Sequence, residues 1–130
     1  MKFLLDTNTC IYIINARPAQ VLDRFRREAI GDIGISCITA AELAYGVAKS
    51  ASVKNRIALE KFLSPLKIFA FGVEALWCYG DIRAELEKLG QIGSLDTLIA
   101  AHAVALDAIL ITTNIADYSR VQQLRVENWL

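Results

Sequence analysis

Met1-Lys2-Phe3-Leu4-Leu5-Asp6-Thr7-Asn8 opens the 130-residue chain with a short apolar run that ends directly on a carboxylate. Residues 2–5 read as a buried strand. Two further acids have similar contexts: Glu42 in Ser36-Cys37-Ile38-Thr39-Ala40-Ala41-Glu42-Leu43, and Asp96 in Ile92-Gly93-Ser94-Leu95-Asp96-Thr97-Leu98-Ile99-Ala100-Ala101-His102. Each sits where a strand ends or a helix begins, and in an α/β fold such points can converge at one edge of the sheet. Convergent carboxylates repel each other unless a cation binds, and oxygen ligands of this kind suit Mg²⁺ or Mn²⁺. This pattern points to a small metal-dependent phosphodiesterase.

Working outward, Thr7 or Asn8 can cap a first helix that runs through Ile14. Pro18 followed by Val21, Leu22, Phe25 and Ala29, with Gly31 beyond, marks a second helix. Residues 33–37 read as a second strand, 39–49 as a helix, and 52–63 as another stopped by Pro65. A third strand is expected over 66–71. Val73, Leu76, Trp77, Ile82, Leu86 and Leu89 then repeat at helical spacing up to Gly90. Residues 95–106 are apolar nearly all round, which suggests a central buried helix. Residues 108–112 read as a fourth strand, and 125–127 can form a short fifth. Alternating strands and helices imply a single α/β domain over residues 1–130, with a mostly parallel sheet of four to five strands flanked by helices. The two helices between the second and third strands could form a clip beside it.

Composition narrows the class. An apolar content of 55% argues against disorder. Fourteen basic and fourteen acidic residues cancel, which is unusual for a nucleic-acid binder and is softened if bound metal neutralises several acids. The three cysteines, Cys10, Cys37 and Cys78, form no CxxC or zinc pattern and lie in apolar stretches. Buried, reduced thiols fit a reducing cytoplasm. Asp6, Thr7 and Asn8 interrupt the N-terminal apolar run before a signal peptide can form. No apolar run approaches the roughly 20 residues that a membrane span requires, so no membrane association is expected.

Each acid also has a purely structural role open to it. Thr39-Ala40-Ala41-Glu42 fits a capping box. Asp96 in a first helical turn favours the helix dipole, and Asp6 could accept amide hydrogen bonds at the turn after its strand. His102, the one histidine, sits among alanines and reads as a packed core residue. Arg24, Arg26 and Arg27 read as a solvated helix face more readily than as phosphate contacts. Trp77 and Tyr79 read as core or dimer contacts, and Ser36 has no partner base nearby in sequence.

Four blocks together resemble the PIN-domain ribonucleases, most closely the VapC-type toxins of bacterial toxin–antitoxin pairs. They are Phe3-Leu4-Leu5-Asp6-Thr7-Asn8; Thr39 to Gly46; Ile92 to Ala103; and a C-terminal block of Leu110 to Asn114, Tyr118 to Val121 and Val126 to Trp129. The resemblance covers essentially the whole chain. It implies that Asp6, Glu42 and Asp96 are catalytic, with Asp6 and Asp96 holding Mg²⁺ (or Mn²⁺) directly and Glu42 in direct contact or one step removed. Asn8 would help hold the first acid. The family often has a fourth acid where this chain has Asn114, and Asp117 could substitute for it. The implied activity is a metal-dependent endoribonuclease that cleaves structured RNA, such as a tRNA or rRNA loop, through activated water. The implied partners are that RNA, a second copy of the chain in a homodimer, and a cognate VapB-like antitoxin whose tail blocks the active site.

Two other readings compete. A PIN fold with weak catalysis could act as a partner-binding module. A signalling receiver domain also binds Mg²⁺ at strand-end acids, but it needs an aspartate ending its third strand and a lysine after its fifth. Here the third strand runs into Gly72-Val73, and no lysine follows Lys88.

Overall fold

The computed structural model describes residues 1–130. The central strand β1, Phe3–Leu5, is completely buried. It pairs in parallel with β2, Ile33–Ser36, on one side and with β4, Ile109–Ile111, on the other. Beyond β2 lies β3, Lys67–Phe69, and beyond β4 lies β5, Val126–Glu127. The five-stranded order is β3-β2-β1-β4-β5, and every pairing is parallel. A receiver domain has the order 2-1-3-4-5, so that reading is excluded on topology.

Seven helices join the strands: α1 Thr7–Asn15, α2 Ala19–Arg27, α3 Cys37–Ser50, α4 Val53–Leu63, α5 Leu76–Leu89, α6 Ser94–Ala105 and α7 Ile115–Tyr118. Residue alternation in β1 sorts the core into two layers. Phe3 and Leu5 pack with Cys10, Ile13, Val21 and Leu43 from α1, α2 and α3. Leu4 packs on the other face with Ile82, Leu86, Ile99 and Ala100 from α5 and α6. Alanines 100, 101 and 103 are fully buried, and their small side chains let α6 lie close to the sheet. Gly34 in β2 makes room for the neighbouring strand β3, since a Cβ there would sit 2.5 Å from the ring of Phe69. Helices α3 and α4 form the expected pair beside the sheet.

Several local expectations are corrected. The cap of α1 is Asp6, which accepts from the Thr9 N–H, and not Thr7 or Asn8. Ser36 caps α3, so Thr39 lies inside the first turn and Thr39/Glu42 form no capping box. Strand β2 passes into α3 without a loop, which gives the first hydroxyl the capping role. Helix α2 starts after Pro18 and stops at Arg27, because Glu28 is extended; a 3₁₀ turn over Ile30–Asp32 follows. A second 3₁₀ turn, Val73–Ala75, leads into α5. Of the cysteines, all free, only Cys10 is fully buried. Trp77 is 81% exposed and is not a core residue. Arg24 is tied to Glu28 at 2.7 Å and Glu127 at 2.8 Å and stacks over the Trp129 ring. No helix is long and apolar enough to cross a membrane.

Candidate active site

The strand order creates the site. The chain runs outward through β1, β2 and β3, then crosses back to build β4 and β5 on the other side of β1. A crevice forms at the carboxyl ends of parallel strands where the winding reverses, here between β1 and β4. Asp6 follows β1 directly, and Asn114 lies just past β4. Glu42 reaches in from α3, and Asp96 from the first turn of α6.

These residues line one cleft of about 130 Å³, together with Thr7 and Asn8, and no apolar side chain borders it. Asp6, Asn8, Glu42, Asp96 and Asn114 are therefore brought together as the sequence suggested. Asp117 is not part of the lining. Its Oδ2 accepts from the Asn114 side-chain amide at 3.0 Å, so it orients Asn114 from outside. Asn8 lines the cleft but does not hold Asp6; that is done by the backbone N–H of Thr9, 2.8 Å from Asp6 Oδ1. Thr9 Oγ1 in turn donates to the Ile111 carbonyl at 3.1 Å and ties α1 to the end of β4. Thr7 Oγ1 donates to Glu42 Oε1 at 2.8 Å. Gly93 leaves room for Asp96, since a Cβ there would lie 3.2 Å from Asp96 Oδ2.

The electrostatics are unfavourable to the charged form of Asp6. Asp6 is only 5% exposed. Burial raises its pKa, hydrogen bonds from Thr112 and Thr9 oppose this, and the nearby Asp96 adds to the rise. Tyr118, from α7, is buried beside the cleft. Its phenol is pushed far up by burial, then by the charges of Asp96 and Asp6, by hydrogen bonding to Asp96 and by Glu42. It stays protonated at any ordinary pH. Thr9, Thr112 and Tyr118 were missed in the sequence. Tyr118 and Thr112 stood within the C-terminal block, but nothing local marked them as facing the acids.

The carboxylates share a cleft without closing into a ready ligand set: no group of three His, Cys, Asp or Glu side chains is arranged to hold an ion. Glu42 is held back by Thr7. Mg²⁺ ordinarily takes one or two carboxylates and keeps several waters. A cleft lined only by carboxylate, hydroxyl and amide side chains, with a buried, energetically costly aspartate among them, fits such an ion.

A model of the PIN domain matches residues 3–124. The chain is 43% identical to "Ribonuclease VapC2" of Rickettsia felis, covering 99% of this chain and 98% of that protein. It is 37% identical to the "tRNA(fMet)-specific endonuclease VapC" of Salmonella typhimurium, over 99% of this chain and 98% of the relative. Among solved structures, the DNA-bound VapBC of Salmonella typhimurium superposes with a TM-score of 0.91 at 36% identity, over 100% of this chain and 99% of the other. The chain belongs to the PIN-domain family, in the VapC group of that family.

Proposed function

We propose that this protein is a Mg²⁺- or Mn²⁺-dependent endoribonuclease that serves as the toxin of a toxin–antitoxin pair. The observation that carries this reading is the wholly polar cleft in which Asp6, Glu42 and Asp96 meet at the β1/β4 reversal. Full-length similarity to relatives named ribonuclease or endonuclease supports it. When bound, a divalent cation would lower the pKa of water and neutralise charge on phosphate oxygens. Asp6 and Asp96 would hold that cation, the first fixed by Thr9 and the second given space by Gly93. Thr7 fixes Glu42 through Oε1, which leaves Oε2 to accept a proton from attacking water. Asn114, aimed by Asp117, offers a neutral oxygen to the cleft. In-line attack would leave a 5′-phosphate and a 3′-hydroxyl.

Structured RNA is the proposed substrate, with a tRNA or rRNA loop as its target, because unpaired loops expose backbone and bases. An antitoxin partner is supported by the VapBC complex of the Salmonella relative. A groove of about 600 Å³ between α1, α3 and α4 begins at Thr7 and Glu42 and continues past Ile11, Ile14, Leu43 and Val47. It suits an amphipathic helix whose basic tail reaches the acids. The toxin itself would be a homodimer in the cytoplasm.

Incubation of the purified protein with total RNA, followed by mapping of the new ends, tests the proposal. Discrete cuts in a tRNA or rRNA loop in Mg²⁺, absent in EDTA, are expected. Cuts that persist unchanged in EDTA would contradict it.

A further inference from the structure

A polar link lies in the interior, outside the acidic cleft. His102 and Ser36 are both fully buried, and His102 Nδ1 lies 2.8 Å from Ser36 Oγ. It joins the body of α6 to the junction of β2 and α3, on the side of α6 away from the Tyr118–Asp96 contact with α7. Ser36 Oγ already accepts the N–H of Ile38 at 3.1 Å as the cap of α3. With one lone pair taken by that N–H, the Ser36 hydroxyl is free to turn its own proton to His102 Nδ1, the arrangement in which the ring carries its proton on Nε2. Burial lowers the pKa of the ring, against the charge of Glu74 and the Ala70 carbonyl, and the neutral ring is the form that can accept at one nitrogen. Nε2 is left without a hydrogen-bond partner, and the edge of the Phe71 ring packs against the imidazole.

A histidine placed for packing alone would not need its ring committed to a helix cap. The two partners are also placed alike: Ser36 precedes Glu42 by six residues, and His102 follows Asp96 by six. The link thus ties the start of the helix that carries Glu42 to the body of the helix that carries Asp96. We propose that His102 is a positioning residue which, by accepting the Ser36 hydroxyl, sets α3 against α6 and so fixes where Glu42 stands relative to Asp96. This rests on the reading of the acids as a metal-dependent nuclease site. It adds that cleft geometry is held by a buried polar contact outside the cleft, as outer partners hold metal ligands elsewhere.

The test compares His102→Leu, Ser36→Ala, the double variant and His102→Asn, with Ser52→Ala as a control that removes an unrelated cap on α4. For each, the Mg²⁺ concentration for half-maximal RNA cleavage is measured. The Mg²⁺ concentration for half-maximal rise in melting temperature is measured alongside it. His102→Leu and Ser36→Ala should each raise both by about tenfold. The double variant should be no worse than either single change, since both break one link. His102→Asn, which keeps an acceptor, should recover most of the metal dependence while staying less thermostable than the parent. Ser52→Ala should lower thermostability alone. If His102→Leu fails to fold, Ser36→Ala against Ser52→Ala decides. Metal dependence unchanged in Ser36→Ala, or additive losses in the double variant, would overturn the proposal. Should the parent not cleave RNA yet still be stabilised by Mg²⁺, the nuclease reading fails and the thermal titration alone judges the positioning role.

Discussion

Burial raises the energy of charged Asp6, and its neighbour Asp96 adds to that cost in the metal-free protein. A carboxyl whose native pKa lies above its unfolded value binds its proton more tightly when folded. Stability is then undiminished below the unfolded value and falls as pH rises from there through the native one. Asp6→Asn keeps an N-cap acceptor for Thr9 and removes the charge. In EDTA at neutral pH it should therefore melt about 3 °C above the parent, a shift of the size produced by roughly 1 kcal/mol. The gap should close below about pH 4, where the parent aspartate is protonated in both states. A parent that melts above the variant in EDTA at neutral pH would show that the charge is not destabilising. Asn114 gives a second prediction at this scale. Asn114→Asp adds a charge to the cleft and should lower the Mg²⁺ needed for half-maximal cleavage, because affinity rises with ligand charge. Asp117→Asn, outside the lining, should change it by less than about threefold. Titrations of cleavage against Mg²⁺ would show the reverse order if Asp117 were the ligand. The three acids were legible because each follows a strand end or stands in the opening turns of a helix, and Asn114 because of the family resemblance. Thr112 and Tyr118 were not, because their bearing on the acids depends on which segments β1 and β4 bring together, and Thr9 was missed because the cap of α1 was placed on Thr7 or Asn8 and not on Asp6.

The sequence located the bodies of α1 to α6 but misplaced several ends, and it missed α7, a single turn too short to show a period. Caps are competitive: Asp6 precedes Thr7, and Ser36 precedes Thr39, so the first capable side chain took the role in each case. Strand β3 came out shorter than the apolar run 66–71 suggested, since it is an edge strand paired only with β2. The reading of α6 as apolar all round needs one refinement: Ile99 is buried against the sheet, whereas Leu95 is 46% exposed next to Asp96. Cavity formation makes Ile99→Ala costly, by about 3 kcal/mol. Leu95→Ala should cost less than about 1 kcal/mol. Urea unfolding of the two variants would contradict this placement of the helix if their costs were equal or inverted.

At the scale of the whole molecule, alternation of strands and helices announced a parallel sheet, but no local pattern announced the order β3-β2-β1-β4-β5. That order decides the chemistry, because it puts the ends of β1 and β4 side by side and lets α3 and α6 deliver their acids to the same cleft. The balanced charge of the chain is unevenly spread: three of its fourteen acids gather in one cleft, which leaves the fourteen basic residues in excess elsewhere. The central claim is that these acids make a metal-dependent nuclease. Its most direct test is the single-turnover cleavage rate of a mapped RNA target in Mg²⁺ by the parent and by Asp96→Asn, with folding of both verified by circular dichroism. A folded Asp96→Asn protein slower by about 10²-fold or more, with the parent silenced by EDTA and restored by added Mg²⁺, is the expected result; parental rates in the variant, or in EDTA, would contradict the account.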